Sequence, residues 1–350
     1  MARLFYTDKP VIGLDISQTG MKIMSVDAKK RLVTGYGSID LDPAKVQESF
    51  KSGTDYIASN INALLTKNVI GSLKSDRVAL GLPAARTFTR TFSLSANSED
   101  KLHSAVELEV EQYIPIPMSS LYVDYEIIER TKDQITVLMT AIPRPIVDAC
   151  MHAAEAAGLQ VVLVEPSINS VARLIEITEE GHLPTVIVDI GPAGTDIAIL
   201  DGSIRVVGSL SVGGNTFTLD IAKKLKVPLE TAHQLKVING LSPGARQHKI
   251  TQAIDPSLKK IVSETRKVMR YYDERIANHR KLEQVLIVGG GANVPGIGDY
   301  FTNELVMPSR VASPWQNIDF GKLRQPAKHF RSRYITVAGL ASIPHERIWS

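Results

Sequence analysis

Two stretches of the sequence each combine an aspartate with small and hydroxyl-bearing residues, which can bind a hydrated metal ion and phosphate. They are residues 11–27 (VIGLDISQTGMKIMSVD) and 185–202 (TVIVDIGPAGTDIAILDG), and each places an aspartate, Asp15 or Asp189, after an apolar run. A carboxylate there can hold Mg²⁺ through water, because protein-bound Mg²⁺ keeps several of its waters. Successive N–H groups of a turn bind phosphate. One such stretch is typical of an ordinary hairpin, but two favour a common phosphate-binding role.

Both stretches predict a β-hairpin, since β-branched apolar runs flank a turn of small residues. The turns carry Ser17, Gln18, Thr19 and Gly20 in the first stretch, and Gly191, Pro192, Ala193, Gly194 and Thr195 in the second. A third glycine turn follows an apolar run in VLIVGGGANVPG (285–296). Glycine lets the backbone approach a ligand closely. The sequence therefore predicts three widely spaced ligand-contacting turns.

Length and composition indicate a two-domain globular protein. The chain has 350 residues, 44% hydrophobic and 22% charged, and exceeds one comfortable core. A net charge of +3 is too small for a nucleic-acid footprint, and the single Cys150 excludes an internal disulfide. No apolar run approaches the ~18 residues that a membrane span needs. The start MARLFYTDKP has no signal-peptide pattern, so we expect a cytoplasmic protein.

Residues 75–158 predict a subdomain inserted into the first domain, because they have a strand–helix–strand–strand–helix order of their own. Their first strand alternates with period 2 over residues 87–92 (TFTRTF). The helices are expected over residues 98–112 and 145–157. The predicted domains are 1–184 with 331–350, which contains the insert, and 185–330.

The two aspartate hairpins and the later glycine turn resemble the phosphate and adenosine motifs of the actin, Hsp70 and sugar-kinase superfamily. The segment 107–174, which includes ELEVEQYIPIPMSSLYVDYEII, resembles the PilM family of actin-like type IV pilus assembly proteins. FtsA, the actin-like cell-division family, is similar as well. The resemblance implies an α/β, actin-like (ribonuclease H-like duplicated) two-domain fold with an inserted α+β subdomain, in which two domains clamp a nucleotide.

The resemblance also implies a role for each matching residue. Asp15 and Asp189 would hold Mg²⁺ through water, and Glu165 would orient an attacking water, with a salt-bridged interdomain residue as its alternative. The residues implied to bind ATP are Asp15, Ser17, Gln18, Thr19, Lys22, Asp189, Gly191, Gly194, Thr195, Gly213, Gly214, Asn215, Lys236, Gly290, Gly291 and Ala292.

Three departures from the superfamily pattern lower the expected rate of hydrolysis. Ser17 replaces a common glycine, and Pro192 and Ala193 replace paired glycines. Proline has no N–H, so one phosphate donor is missing. His233 stands where a ribose-binding glutamate often occurs. The implied enzyme activity is at most a slow ATPase.

Family resemblance implies an ATP-binding cytoplasmic scaffold, peripheral at the inner face of the cytoplasmic membrane through its partners. The implied partner is the cytoplasmic N-terminal peptide of PilN, beside other pilus inner-membrane assembly proteins and the assembly ATPases, with self-association left open. The alternatives are an FtsA-like or other actin-like filament ATPase, and a small-molecule kinase of the same superfamily. A kinase is disfavoured, because the inserted segment shows no sugar-binding cluster of acids and asparagine.

Two surfaces are expected to meet partners. An extended peptide could add to a strand at the junction of the insert and the first domain, near Leu80 and Leu82. The segment 321–333 (GKLRQPAKHFRSR) contains Lys322, Arg324, Lys328, Arg331 and Arg333 and no acid. It is predicted either to lie near anionic lipid or to be a solvated loop.

Overall fold

The computed structural model describes residues 10–53, 55–244, 247–276 and 280–344, with side chains for all of these except 52 and 98–100. The start of the chain, on which the expectation of no export rests, lies outside this range. The chain forms two compact units. Of the described residues, the first unit contains those through Thr178, Pro314–Gln325 and those from Tyr334 to residue 344. The second unit contains the described residues of Glu179–Ser313 and Pro326–Arg333.

Strands and helices are interspersed along the chain, mostly in runs of one to three of the same kind. The strands are β1 (Ile12–Ser17), β2 (Gly20–Asp27), β3 (Leu32–Asp40), β4 (Val69–Gly71), β5 (Arg77–Leu82), β6 (Phe88–Ser95), β7 (Leu121–Arg130), β8 (Gln134–Pro143), β9 (Gln160–Pro166), β10 (Thr185–Ile190), β11 (Thr195–Asp201), β12 (Ser203–Leu210), β13 (Gln284–Val288) and β14 (Ser309–Val311). The helices are α1 (Pro43–Ser52), α2 (Asp55–Lys67), α3 (Leu102–Tyr113), α4 (Arg144–Ala156), α5 (Ser167–Thr178), α6 (Gly214–Leu225), α7 (Leu229–Ile238), α8 (Gln247–Arg275), α9 (Ile297–Leu305), α10 (Lys328–Arg331) and α11 (Ile335–Ala341). Within the described ranges, none of these helices is both long and apolar enough to cross a bilayer.

The main sheets of the two units repeat one topology. In the first unit the order is β4-β3-β2-β1-β5-β9, and in the second it is β12-β11-β10-β13-β14. Each sheet begins with an antiparallel meander whose first strand pairs in parallel with a later strand, β1 with β5 and β10 with β13. Leaving β4 aside, both units place their strands in the order 3-2-1-4-5. The duplication predicted from the repeated aspartate stretch is therefore present in the backbone.

Both predicted hairpins form at the expected residues. In the first, Ser17 pairs with Gly20 across the turn of Gln18 and Thr19. In the second, Ile190 pairs with Thr195 across residues 191–194. The apolar residues of these strands are buried, because sheets with helices on their faces bury both sides of their strands. This burial fixes the register and therefore the position of both aspartates.

The insert has a core of its own in the first unit. A three-stranded antiparallel sheet of order β6-β8-β7 packs against α3 through Leu102, Val106, Val110, Val137 and Met139. The predicted period-2 strand is the edge strand β6. The helix expected from residue 98 instead begins at Leu102, because residues 96–101 form a tighter 3₁₀ turn.

One prediction about the insert junction is wrong. Leu80 and Leu82 do not lie beside an open groove, because β5 is an interior strand between β1 and β9. Both side chains are 0% exposed and belong to the main core of the first unit. A charged substitution at either residue would bury an unpaired charge and unfold the unit rather than report on a surface.

Candidate functional site

Asp15 lies at the end of an apolar strand with both carboxylate oxygens engaged. Its Oδ2 accepts a hydrogen bond and ion pair from Lys22 Nζ at 3.1 Å. Its Oδ1 accepts a hydrogen bond from Ser167 Oγ, also at 3.1 Å. The pairing of Asp15 with Lys22 in the β1–β2 register makes this ion pair a direct product of the hairpin. Ser167 was not predicted, because it is far away in the sequence.

The first turn has the donors that phosphate binding needs. Ser17 Oγ donates to Gly20 O at 2.7 Å, which closes the turn. Within the described part of the chain, the amides of Gln18 and Thr19 make no backbone hydrogen bond outside the strand ladder. Both residues are half-buried, so a ligand can still reach this turn. Ser17 therefore stabilises the turn, and its two central residues are the available donors.

The second turn uses some of its predicted phosphate donors internally. Gly191 N donates to Gly194 O at 2.9 Å, Gly214 N to Gly191 O at 2.9 Å, and Asn215 N to Pro192 O at 2.9 Å. Pro192 thus lacks a donor but supplies an acceptor that anchors the start of α6. Among the described residues, Ala193 and Gly194 have amides without a backbone partner. The available amides of Ala193 and Gly194 lie within the predicted range, whereas the predicted amide of Gly191 is used inside the turn.

Close packing fixes the second turn against α6 and the glycine turn. A Cβ at Gly213 would lie 2.5 Å from Gly191 O and 2.8 Å from Gly194 N. A Cβ at Gly289, where φ is +81°, would lie 2.2 Å from Asp189 Oδ1. Thr195 is 0% exposed and its Oγ1 donates to Val212 O at 2.7 Å. Thr195 is thus a packing residue here. The lack of a side chain at Gly289 leaves room for the Asp189 carboxylate.

Lys236 is a buried residue of α7 whose ammonium group lies at the start of α6. Its Nζ donates to Gly214 O at 2.7 Å and to Thr218 Oγ1 at 2.8 Å. A Cβ at Gly214 would lie 3.7 Å from Nζ and 3.9 Å from Gly291 Cα, so Gly214 lies close to both Lys236 and the glycine turn. Burial, reinforced by the positive charge of Arg333, lowers the pKa of Lys236 to about 8. A buried cation whose hydrogen-bond partners are neutral oxygens favours an anionic ligand.

The surroundings of Lys236 are cationic. The pKa of His233 is lowered by partial desolvation and by the positive charges of Lys236, Arg333 and His329. Arg333 also lies beside the glycine turn, where a Cβ at Gly290 would be 3.7 Å from its Cγ. Asn293 Nδ2 donates to His329 O at 2.7 Å and so holds the segment that contains His329 and Arg333 at the glycine turn. The sequence predicted that the segment containing Arg333 lies near anionic lipid or is a solvated loop, and its position at this turn was not predicted.

The glycine turn after β13, which resembles the superfamily's adenosine motif, is a 3₁₀ turn over Gly290–Asn293. Gly291 and Ala292 are buried, and a Cβ at Gly291 would lie 2.2 Å from Ile190 Cγ2. Gly290 is only half-buried. Packing against Ile190 of β10 thus explains why residue 291 is a glycine. Since Gly291 and Ala292 are buried, Gly290 is the residue of this turn that a ligand can reach.

Glu165 is held by a bidentate ion pair. Arg173 Nη1 donates to Oε1 at 2.8 Å, and Nη2 donates to Oε2 at 2.5 Å. Arg173 Nη1 also donates to Gly339 O at 3.0 Å, which ties β9, α5 and α11 together. Such planar pairs are strong and geometrically specific. Glu165 thus has a structural partner, and its water-positioning role stays a prediction.

Each unit contains groups of the kind that bind phosphate and a hydrated metal ion. Each hairpin supplies one carboxylate and two amides, and the second unit adds a buried ammonium group. In the described residues no three His, Cys, Asp or Glu side chains form a metal cluster. A hydrated Mg²⁺ needs no such cluster, because one or two carboxylates and the phosphates hold it.

A groove opens in the insert between α3 and the edge strand β7. Its volume is about 300 Å³, and its lining includes Val106, Leu121 and Val123 at the apolar floor. His103, Glu107 and Arg144 provide polar groups at its margin. Arg144 also packs its guanidinium 4.2 Å from the Tyr122 ring centroid. An apolar groove beside an edge strand has the features that bind extended peptides.

Comparison with known proteins extends these observations. The family described as "type IV pilus assembly protein PilM" matches residues 13–342. The cell division protein FtsA of Borreliella burgdorferi is 26% identical over 189 residues, 48% of this chain and 45% of that protein. The cell shape-determining protein Mbl of Bacillus cereus is 26% identical over 196 residues, 47% of this chain and 58% of that protein. The chain spans about half the length of these relatives.

Solved structures show the same fold. A chain of a PilM–PilN type IV pilus biogenesis complex matches with a TM-score of 0.80 and 20% identity over 96% of this chain and 99% of that one. MreB5 of Spiroplasma citri bound to ADP matches with a TM-score of 0.54 and 15% identity over 95% of each chain. The predicted α/β, actin-like fold is confirmed.

Proposed function

The chain belongs to the family of type IV pilus assembly protein PilM, and we propose that it is an ATP-binding, actin-like scaffold of the pilus inner-membrane assembly complex. The observation that carries the nucleotide part is the duplicated hairpin, with one carboxylate and available amides in each copy. The family match extends over residues 13–342, whereas the FtsA match covers 48% of the chain. This difference favours the pilus role over a cell-division filament.

In the proposed binding mode, amides of both turns contact phosphate oxygens, and Asp15 and Asp189 hold waters of Mg²⁺. Mg²⁺ bound there would neutralise part of the phosphate charge. Gly290 and the cations Lys236 and Arg333 face the nucleoside. Support for these roles comes from the buried Lys236, which donates to two neutral oxygens and whose pKa is lowered to about 8.

ATP hydrolysis by this chain is proposed to be slow. Pro192 removes a donor from the second turn, and Arg173 occupies both oxygens of Glu165. Both oxygens of the Glu165 carboxylate accept from Arg173, so contact of either oxygen with an attacking water would require this pair to open. A phosphate-release assay measures this directly, and rapid turnover would contradict the proposal.

The test of nucleotide binding is calorimetry with ATP and Mg²⁺. Asp189→Ala is expected to weaken binding at least about tenfold, because it removes an oxygen that orients metal-bound water. Asp27→Ala is the matched control, since it also removes a carboxylate from a hairpin strand, but at the end of β2 about 20 Å along the strand from the first turn. Equal affinities of the unmodified chain and Asp189→Ala would refute the role of this turn.

We further propose that the groove between α3 and β7 accepts a PilN-like cytoplasmic peptide. PilN is the partner named in the solved complex whose PilM chain has the same fold. The apolar floor fits alternate side chains of an extended peptide, and β7 is an edge strand with room for another strand. Such a partner would hold the protein at the inner face of the membrane.

A further inference from the structure

Ser167 is a buried hydroxyl in direct contact with the first hairpin carboxylate. It is the first residue of α5 and is 8% exposed. Its Oγ donates to Asp15 Oδ1 at 3.1 Å, while Lys22 Nζ contacts the other oxygen, Oδ2, at 3.1 Å. Asp15 is itself only 6% exposed. The two oxygens of Asp15 therefore have different partners, one neutral and one cationic.

The neighbouring packing keeps Ser167 in this contact. A Cβ at Gly81 would lie 3.3 Å from Ser167 Oγ, 3.6 Å from Asp15 Oδ1 and 2.9 Å from Leu340 Cδ1, so β5 leaves little free space beside the pair. Ser170 Oγ donates to Ser167 O at 2.7 Å, which fixes the backbone of the first helical turn. The hydroxyl is thus positioned by the fold rather than by chance on a surface.

From these contacts we propose that Ser167 is a positioning residue for the divalent cation that accompanies ATP. The terminal torsion of an aspartate is broad, so an unheld carboxylate samples many orientations. By fixing Oδ1, Ser167 leaves Oδ2 as the oxygen for a metal-bound water, in competition with Lys22. This inference rests on the proposed nucleotide binding. Groups that hold a metal-associated carboxylate change metal affinity by about 10- to 100-fold when they are removed.

The test compares ATP affinity with saturating Mg²⁺ and with EDTA by calorimetry. Ser167→Ala is expected to weaken binding about tenfold with Mg²⁺ and to leave binding in EDTA nearly unchanged. Ser167→Thr keeps the hydroxyl and is expected to retain the affinity. Thr178→Val is the matched control, because it removes a buried hydroxyl at the opposite end of the same helix, where Thr178 Oγ1 donates to Leu174 O at 2.7 Å.

Two results would overturn the inference: an unchanged affinity of Ser167→Ala with Mg²⁺, or an equal loss with and without Mg²⁺, which indicates a purely structural role. If Ser167→Ala does not fold, Ser167→Cys is measured in the same way with the same expectation, since a thiol is a much weaker donor. Absence of ATP binding by the unmodified chain would refute the proposed function itself, and the inference with it.

Discussion

Lys236 shows how one buried charge can make ligand binding depend on pH. Its pKa is lowered to about 8 by burial and by Arg333, so near pH 8 about half of the molecules lack this proton. An anionic ligand stabilises the charged ammonium form and raises the pKa again. ATP binding near pH 8 is therefore expected to take up a fraction of a proton per molecule, and the uptake should shrink toward pH 6.5, where Lys236 is already charged.

Calorimetry in two buffers of different ionisation enthalpy measures this uptake at pH 8. The apparent binding enthalpy should differ between the buffers for the unmodified chain and become independent of the buffer in Lys236→Gln. His233→Gln serves as the comparison, because the pKa of His233 is lowered from 6.5 and the imidazole is neutral at pH 8. Identical enthalpies in both buffers, with ATP bound, would contradict the role of Lys236.

At this scale the sequence predicted residue types better than their partners. Asp15 and Lys22 were predictable together, because a hairpin register places them opposite each other. The partners Ser167 and Arg173 come from α5, and only the three-dimensional fold brings them to Asp15 and Glu165. Ser167 is 152 residues from Asp15, whereas Arg173 is only eight residues from Glu165 but lies on the next element. In neither pair does a local pattern of residue types predict that the two side chains meet.

Among the elements, the glycine at the start of α6 makes the strongest case for backbone packing. A Cβ at Gly213 would lie 2.5 Å from Gly191 O and 2.8 Å from Gly194 N, and both distances are too short for a side chain. Gly213→Ala is expected to destabilise the chain by about 1–3 kcal/mol, because the turn and the helix must separate. Denaturant unfolding measures this loss.

Gly244→Ala is the matched control for the glycine prediction. A Cβ there meets nothing within 4 Å, and its φ is not in the left-handed region. The free energy of unfolding of the Gly244→Ala variant should therefore stay within about 0.5 kcal/mol of that of the unmodified chain. Equal stabilities of the two variants would show that the turn relaxes freely.

Hairpins and glycine turns were predictable because their signals are local. The use of turn amides was not, since Gly191 O and Pro192 O accept from residues more than twenty positions later. The sequence therefore located the turns correctly but could not tell which N–H groups the fold itself consumes.

On the scale of the molecule, the repeated motif predicted the duplicated sheet topology correctly. Residues 314–325 are different: the sequence placed them in the second domain, and the structure packs them in the first unit. Their anchor is aromatic, because Tyr36 meets Phe320 edge-on at 5.6 Å and its hydroxyl donates to Arg324 O at 2.5 Å. Such long-range aromatic contacts leave no periodic signal in the sequence.

The insert has its own core, and this predicts that peptide binding and nucleotide binding protect different parts of the chain. A ten-residue peptide from the cytoplasmic start of the PilN-like partner is expected to slow hydrogen exchange in β7 and α3. The reason is that added strand pairing satisfies N–H groups of an edge strand. ATP with Mg²⁺ should instead slow exchange at the turns after β1 and β10. Hydrogen-exchange mass spectrometry with each ligand alone separates the two patterns, and a scrambled peptide of the same composition is the control. Protection by the peptide of residues 185–313, with β7 and α3 unchanged, would show that the partner binds elsewhere.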